Sequence, residues 1–165
     1  MAEASLGSKY IAEFVGTFML IFAVGNNVLG GSAVWGATSI ACTLMVAIYA
    51  LGGISGANFN PAVSFALGFT GKMDWNTVYA YSLVQMGAGF CAGVAYGLLH
   101  WRVFDIGPAS GYEWYHAAFA EFIYTFMLCF VVLNVAASKM DGGKNQYYGL
   151  AIGFVIVAGG YGAGH

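Results

Sequence analysis

Nine residues, SGANFNPAV at Ser55–Val63, place a hydroxyl, two carboxamides, a glycine and a proline together between apolar stretches. Polar groups of this kind need hydrogen-bond partners once they leave water, and Gly and Pro interrupt helices. Two acids, Glu13 and Glu121, lie inside apolar runs and are functional candidates by default. Each could relay a proton. The preferred reading is that each accepts hydrogen bonds from backbone N–H groups of a loop folded back into the membrane, with Gln85 in a similar supporting role. Cys42, Cys91 and Cys129 sit in apolar runs and read as buried thiols. No His, Cys or acid grouping has ligand spacing, so neither a metal nor a cofactor is expected.

The elements that must position these residues follow from composition. Of 165 residues, 60% are hydrophobic and only 7% charged, against about 25% in a soluble domain, so the chain reads as a membrane protein in a lipid bilayer. The net charge of -2 argues against a nucleic-acid partner. A span needs about 20 apolar residues. Spans are expected at about 10–31, 35–52, 76–99, 116–137 and 147–165. The first exceeds the roughly 7–15 residues of a signal-peptide core, and no cleavable signal is read. Lys9, Lys72, Lys139 and Lys144 fall on one side of this arrangement and Arg102 on the other, which predicts a cytoplasmic N-terminus.

The uncharged stretch 37–69 is too long for one span. Gly52-Gly53 and Pro61 divide it, with the second span ending near Gly52. Asn60 suits an N-cap and Pro61 the first helical position, so NPAVSFALGF reads as a half-helix of roughly 15 Å. An extended segment, Ile54 to Phe59, leads into it. Non-helical backbone at membrane depth is tolerated only inside protein or beside a wet cavity. Gly89, Gly93 and Gly97, spaced four apart, read as a close helix-packing face.

AEFVGTFMLIFAV at 12–24 matches AEFIYTFMLCFVV at 120–132 in nine of thirteen positions, at an offset of 108. The first and fourth spans are therefore equivalent, and an odd number of spans between them inverts the second half. The fold class predicted is an all-α membrane protein in one domain, 1–165, with a first repeat at about 10–99 and an incomplete second at about 116–165. It comprises five transmembrane helices plus one re-entrant half-helix. A counterpart of Asn60 is expected at about 168–172, beyond His165, so the sequence reads either as part of a longer chain, the preferred reading, or as a natural truncation.

At this point the chain resembles the aquaporin, or major intrinsic protein, family. ISGANFNPAVSFAL is similar to that family's first NPA loop and AEFVGTFMLIF to its first span. QMGAG at Gln85–Gly89 resembles an element of the third span, and GLAIGF at Gly149–Phe154 the start of the fifth. The resemblance implies a passive channel for water and small neutral solutes that excludes ions and protons, assembled as a homotetramer with one pore per subunit. The second NPA loop, its selectivity arginine and the sixth span are not in this sequence.

The resemblance also assigns roles. The carbonyls of Gly56, Ala57 and Asn58 would line the pore as acceptors, and the Asn60 amide would donate to a passing water. Pro61 and Ala62 would line the same region and close the contact between the two loops. Asn58 stands where many members carry His. Ile40 and Gly160 fall at two positions of the outer selectivity filter. Water-selective members tend to carry an aromatic and a His there; Ile plus Gly is wider and more apolar, which implies that glycerol, urea or another small neutral solute passes as well as water.

Two rivals remain. Gly53-Ile54-Ser55-Gly56 matches the G-x-S-G of rhomboid intramembrane proteases, which would need a His partner from among His100, His116 and His165. The other is a non-transporting structural subunit of a larger membrane assembly.

Overall fold

The computed structural model describes residues 4–31, 34–138 and 145–163. The described residues form six helices: α1 (Leu6–Leu29), α2 (Gly36–Ser55), α3 (Pro61–Phe69), α4 (Trp75–His100), α5 (Trp114–Val135) and α6 (Tyr148–Ala163). α1, α2, α4 and α5 are long and apolar enough to cross a membrane. The fifth expected span is shorter than predicted: α6 has 16 described residues, roughly 24 Å of helix. Lys139, Lys144 and His165, used in the sequence reading, lie outside the described residues.

Local chemistry explains the boundaries. The Ser5 hydroxyl caps α1 by accepting the Ser8 amide at 3.2 Å, so the helix starts four residues before the expected span. Asp74 caps α4 through the Thr77 amide at 3.0 Å. α2 does not end near Gly52. It runs to Ser55, and only then does Gly56, at φ 93°, turn the chain left-handed. A glycine pair costs a helix about 1 kcal/mol per residue, which packing absorbs; a left-handed residue stops it. The extended segment accordingly begins at Gly56, not Ile54.

α1 packs on α2 and α4, α2 on α6, α5 on α6, and α3 lies between α4 and α5. The apolar core where the two halves meet includes Leu44 and Ile48 of α2, Val63 and Leu67 of α3, Leu128 of α5 and Ile152 of α6. Outward faces carry exposed Leu83, Phe90, Phe126 and Phe154, the pattern of helices solvated by lipid tails.

The glycine series on α4 is a correction. Among the described residues of this chain no neighbouring helix approaches it: an added Cβ at Gly89 would meet nothing within 4 Å, and at Gly93 only the Tyr96 hydroxyl of the same helix. The close approaches are elsewhere. A Cβ on Gly25 would lie 2.1 Å from the Tyr96 ring, and one on Gly153 would lie 3.1 Å from the Ala41 carbonyl oxygen. The cysteines are corrected as well: Cys42 and Cys91 are exposed and Cys129 half-buried, all three free thiols.

Candidate functional site: a clamped re-entrant loop beside an apolar cavity

Between α2 and α3 the chain crosses the bundle interior as a non-helical loop, Gly56–Asn60. Its shape is unusual for L-residues. Ala57 and Phe59 both take positive φ, 54° and 51°, costing on the order of 1–2 kcal/mol each. Such a conformation persists only where surrounding contacts over-determine it.

Glu13 supplies those contacts. Its side chain is fully buried and accepts four hydrogen bonds. Oε1 takes the Ser55 hydroxyl at 2.7 Å and the Asn58 amide at 3.0 Å. Oε2 takes the Phe59 amide and the Gln85 carboxamide, both at 2.8 Å. A carboxylate in a low-dielectric interior is stabilised by charge-assisted donors of this kind. The Gln85 nitrogen also reaches the Ser64 hydroxyl at 3.2 Å, and the Asn58 carboxamide donates to Ser64 at 3.0 Å. Tyr81 donates to the Ser55 carbonyl at 2.9 Å, closing the end of α2. The Phe59 ring, 2% exposed, lies directly on Gly16.

With its amides turned toward Glu13, the loop leaves its carbonyls elsewhere. Among the described residues no donor reaches the carbonyl oxygens of Gly56, Ala57 or Asn58. All three residues line a cavity of about 350 Å³. Asn60 lines it too. Its Oδ1 accepts the Ala62 amide at 2.8 Å as the N-cap of α3, which leaves the carboxamide nitrogen without a protein acceptor among the described residues. The other walls are apolar, with Leu44 and Ile48 from α2, Val63 from α3, Leu128 from α5 and Ile152 from α6. Lys72, Met73 and Tyr148 also border it.

Several expected positions fall elsewhere. Pro61 and Ala62 do not line the cavity; Val63 and Leu67, one turn apart, present the face of α3 that does. Ile40 and Gly160, expected at an outer filter and not in this cavity, are not among its lining residues. They lie toward the far end of the α2–α6 pair, where a Cβ on Gly160 would come within 2.6 Å of the Ala37 Cβ. Glu121 is exposed on α5 and has no hydrogen-bond partner among the described residues, in contrast to its repeat counterpart Glu13. The Ser55 hydroxyl is committed to Glu13 and to the Ala57 amide at 3.0 Å, while His100 pairs with Asn26 and His116 caps the start of α5.

The sequence reading missed Ser55, Ser64, Tyr81 and Phe59 as parts of this network. One signal was available. At the repeat position where 120–132 carries Tyr124, 12–24 carries Gly16, the residue on which the Phe59 ring lies.

Long apolar helices, a helix interrupted inside the bundle and a buried carboxylate holding the interruption define an α-helical integral membrane protein with a re-entrant half-helix. The chain belongs to the major intrinsic protein family, whose sequence model matches residues 1–165. It is 35% identical to Aquaporin NIP1-3 of Oryza sativa subsp. japonica, over 95% of this chain and 57% of the relative. It is 34% identical to a protein named probable glycerol uptake facilitator from Thermotoga maritima, over 90% of this chain and 72% of that protein. Identity to Aquaporin AqpM of Methanothermobacter marburgensis is 29%, over 92% of this chain and 74% of the relative. The chain spans just over half the length of the plant relatives it matches.

Proposed function

We propose that this chain supplies pore wall to a passive channel for water and small neutral solutes, glycerol among them, and that the channel excludes ions and protons. The observation that carries the reading is the row of acceptors on Gly56, Ala57 and Asn58 and the Asn60 carboxamide donor, unpartnered among the described residues, on one side of a cavity whose remaining lining is mostly apolar. A file of water needs this division. Donors and acceptors on one wall replace lost hydrogen bonds, and an apolar opposite wall keeps the file narrow and mobile. The N-terminus of α3 adds roughly half a positive charge where Asn60 sits, which repels cations. In this reading Glu13 and Gln85 hold the loop, and Ile40 and Gly160 belong to an outer filter wide enough for glycerol.

The relatives' names, aquaporin and probable glycerol uptake facilitator, support the substrate class. In the channel the N-terminus is cytoplasmic, four copies assemble, and the chain forms one domain of two inverted repeats.

The test is flux. Protein purified from its native membrane and reconstituted into vesicles is expected to speed osmotic shrinkage and glycerol entry, without ionic conductance. Asn60→Asp keeps the cap oxygen but removes the amide donor, and is expected to lower water flux while leaving the fold intact. Vesicles no more permeable than protein-free controls would overturn the proposal. So would an unchanged flux in Asn60→Asp.

A further inference from the structure

Two tyrosines tie α2 and α6 together at opposite ends. On α2, the Tyr49 hydroxyl donates to the Gln146 carbonyl at 3.0 Å and accepts the Leu150 amide at 3.2 Å. On α6, the Tyr161 hydroxyl donates to the Val34 carbonyl and pairs with the Thr38 hydroxyl at 2.9 Å. Tyr161 has one proton and gives it to Val34, so Thr38 is the donor in the second contact. The two phenols use the same pair of positions with different donor atoms, a backbone amide for Tyr49 and a side-chain hydroxyl for Tyr161. Each gives its proton to a carbonyl just ahead of the other helix and accepts from the third residue of that helix.

The register is the same in both. Tyr49 and Tyr161 are 112 residues apart, as are Val34 and Gln146, and Thr38 and Leu150. The packing repeats at this spacing too. Gly149 faces Ile48 and the Tyr49 ring, and Gly160 faces Ala37, so a small residue from one helix meets its neighbour at each end. Side chains of the helices' own ends provide little else: just ahead of α6 the Asn145 side chain accepts the Tyr147 amide at 3.0 Å, and Leu150 is left to Tyr49. Trp35, at the N-cap of α2, makes no side-chain cap bond, and the Leu150 amide at the third position of α6 has no carbonyl four residues back within its own helix. In lipid such groups must be satisfied by protein.

We infer that Tyr49 and Tyr161 are reciprocal positioning residues: each phenol tethers the start of the other's helix, Tyr49 through the Gln146 carbonyl and the Leu150 amide of α6, Tyr161 through the Val34 carbonyl and the Thr38 hydroxyl of α2, and together they fix the register of α2 against α6. The latches are roughly 17 Å apart along the pair, about eleven residues of helix, so they bracket the segment that carries Leu44, Ile48 and Ile152 into the cavity wall. Fixing that register fixes the cavity's width. This last consequence rests on the channel reading; the latch itself does not.

Hydrogen–deuterium exchange on the full chain in lipid nanodiscs tests the latch without any transport. Tyr49→Phe keeps the ring and removes the hydroxyl. It is expected to speed exchange at the first turn of α6, Leu150 included, by roughly fivefold, the effect of one ordinary hydrogen bond. The first turn of α2 should be unaffected. Tyr161→Phe frees no α2 amide directly; by releasing the Val34 carbonyl and the Thr38 hydroxyl it is expected to loosen the start of α2, so exchange in that first turn should rise, by less than at Leu150 in Tyr49→Phe. Thr38→Val combined with Tyr161→Phe should add nothing to Tyr161→Phe alone. Effects confined to the helix that carries the substitution, or no effect, would overturn the latch. The flux arm is separate. In conducting vesicles the double variant Tyr49→Phe/Tyr161→Phe should change the glycerol-to-water permeability ratio severalfold, and an unchanged ratio would overturn the cavity-width consequence. Vesicles without flux would count against the channel reading and the width that rests on it, leaving the latch to be decided by exchange.

Discussion

The Glu13 carboxylate accepts the backbone amide of Phe59 at 2.8 Å across 46 residues of sequence, and that bond holds a phenylalanine at φ 51°. The same carboxylate holds the Asn58 amide. One side chain thus turns two consecutive N–H groups inward, and the loop presents carbonyls to the cavity because its amides are already engaged.

Glu13→Gln preserves size but replaces an accepting oxygen with a donor facing donors. At least one buried amide, at Asn58 or Phe59, then loses its partner. The expected cost is about 3 kcal/mol, since an orphaned buried donor loses its hydration without compensation. Thermal unfolding in detergent should show a clearly lower midpoint, and amide exchange at 58–59 should rise ahead of the helices.

Gly16→Ala puts a methyl group 2.1 Å from a Phe59 ring carbon in the present geometry. The ring is 2% exposed and has little room to retreat, so destabilisation of about 1–3 kcal/mol is expected from overpacking. Phe59→Leu in the same chain should recover part of that loss. Equal unfolding midpoints for the single and double variants would show that the contact is not limiting.

Ala57 sits at φ 54°, where a Cβ is costly and a branched one more so. Ala57→Val should lower stability by roughly 1–2 kcal/mol. Ala57→Gly should leave it unchanged or slightly higher, because relief of strain offsets the greater freedom of the unfolded chain. Denaturation of the two variants side by side checks the order.

Asp74 lies at the exposed start of α4, where the Thr77 hydroxyl, then the Thr77 amide, hold its carboxyl below the ordinary 3.8. A carboxyl depressed in the folded state contributes stability above its unfolded value and loses it as pH falls through the folded value. Wild-type protein should therefore lose stability more steeply than Asp74→Asn as pH drops below about 4, with the two curves converging in acid. Unfolding midpoints from pH 7 down to 3 read this directly; parallel curves would remove Asp74 as the cause.

The elements of this protein were legible because their causes are local. Span-length apolar runs, the Asn60–Pro61 helix start and the match between 12–24 and 120–132 can all be read within a few turns of chain. The end of α2 was misplaced because two candidate breakers, Gly52-Gly53 and Gly56, look alike in sequence, and only the conformation at Gly56 separates them.

Partner choice was not legible, because it depends on which distant groups the packing brings within 3 Å. Glu13 and Glu121 share the local sequence Ala-Glu-Phe, yet one is fully buried with four donors and the other is exposed. Within a helical turn the telling difference is Gly16 against Tyr124, which makes room for the Phe59 ring but does not name the donors that reach Glu13. The difference is that α4 and the Gly56–Asn60 loop close over Glu13, while no described loop faces Glu121. Sequence alone determined that the chain would span a membrane and fold a half-helix back into it. Tertiary packing decided which distant donors close over Glu13, which carbonyls of the loop are left free, and which groups Tyr49 and Tyr161 reach, because a hydrogen bond's range is shorter than the distances the chain must travel to make it.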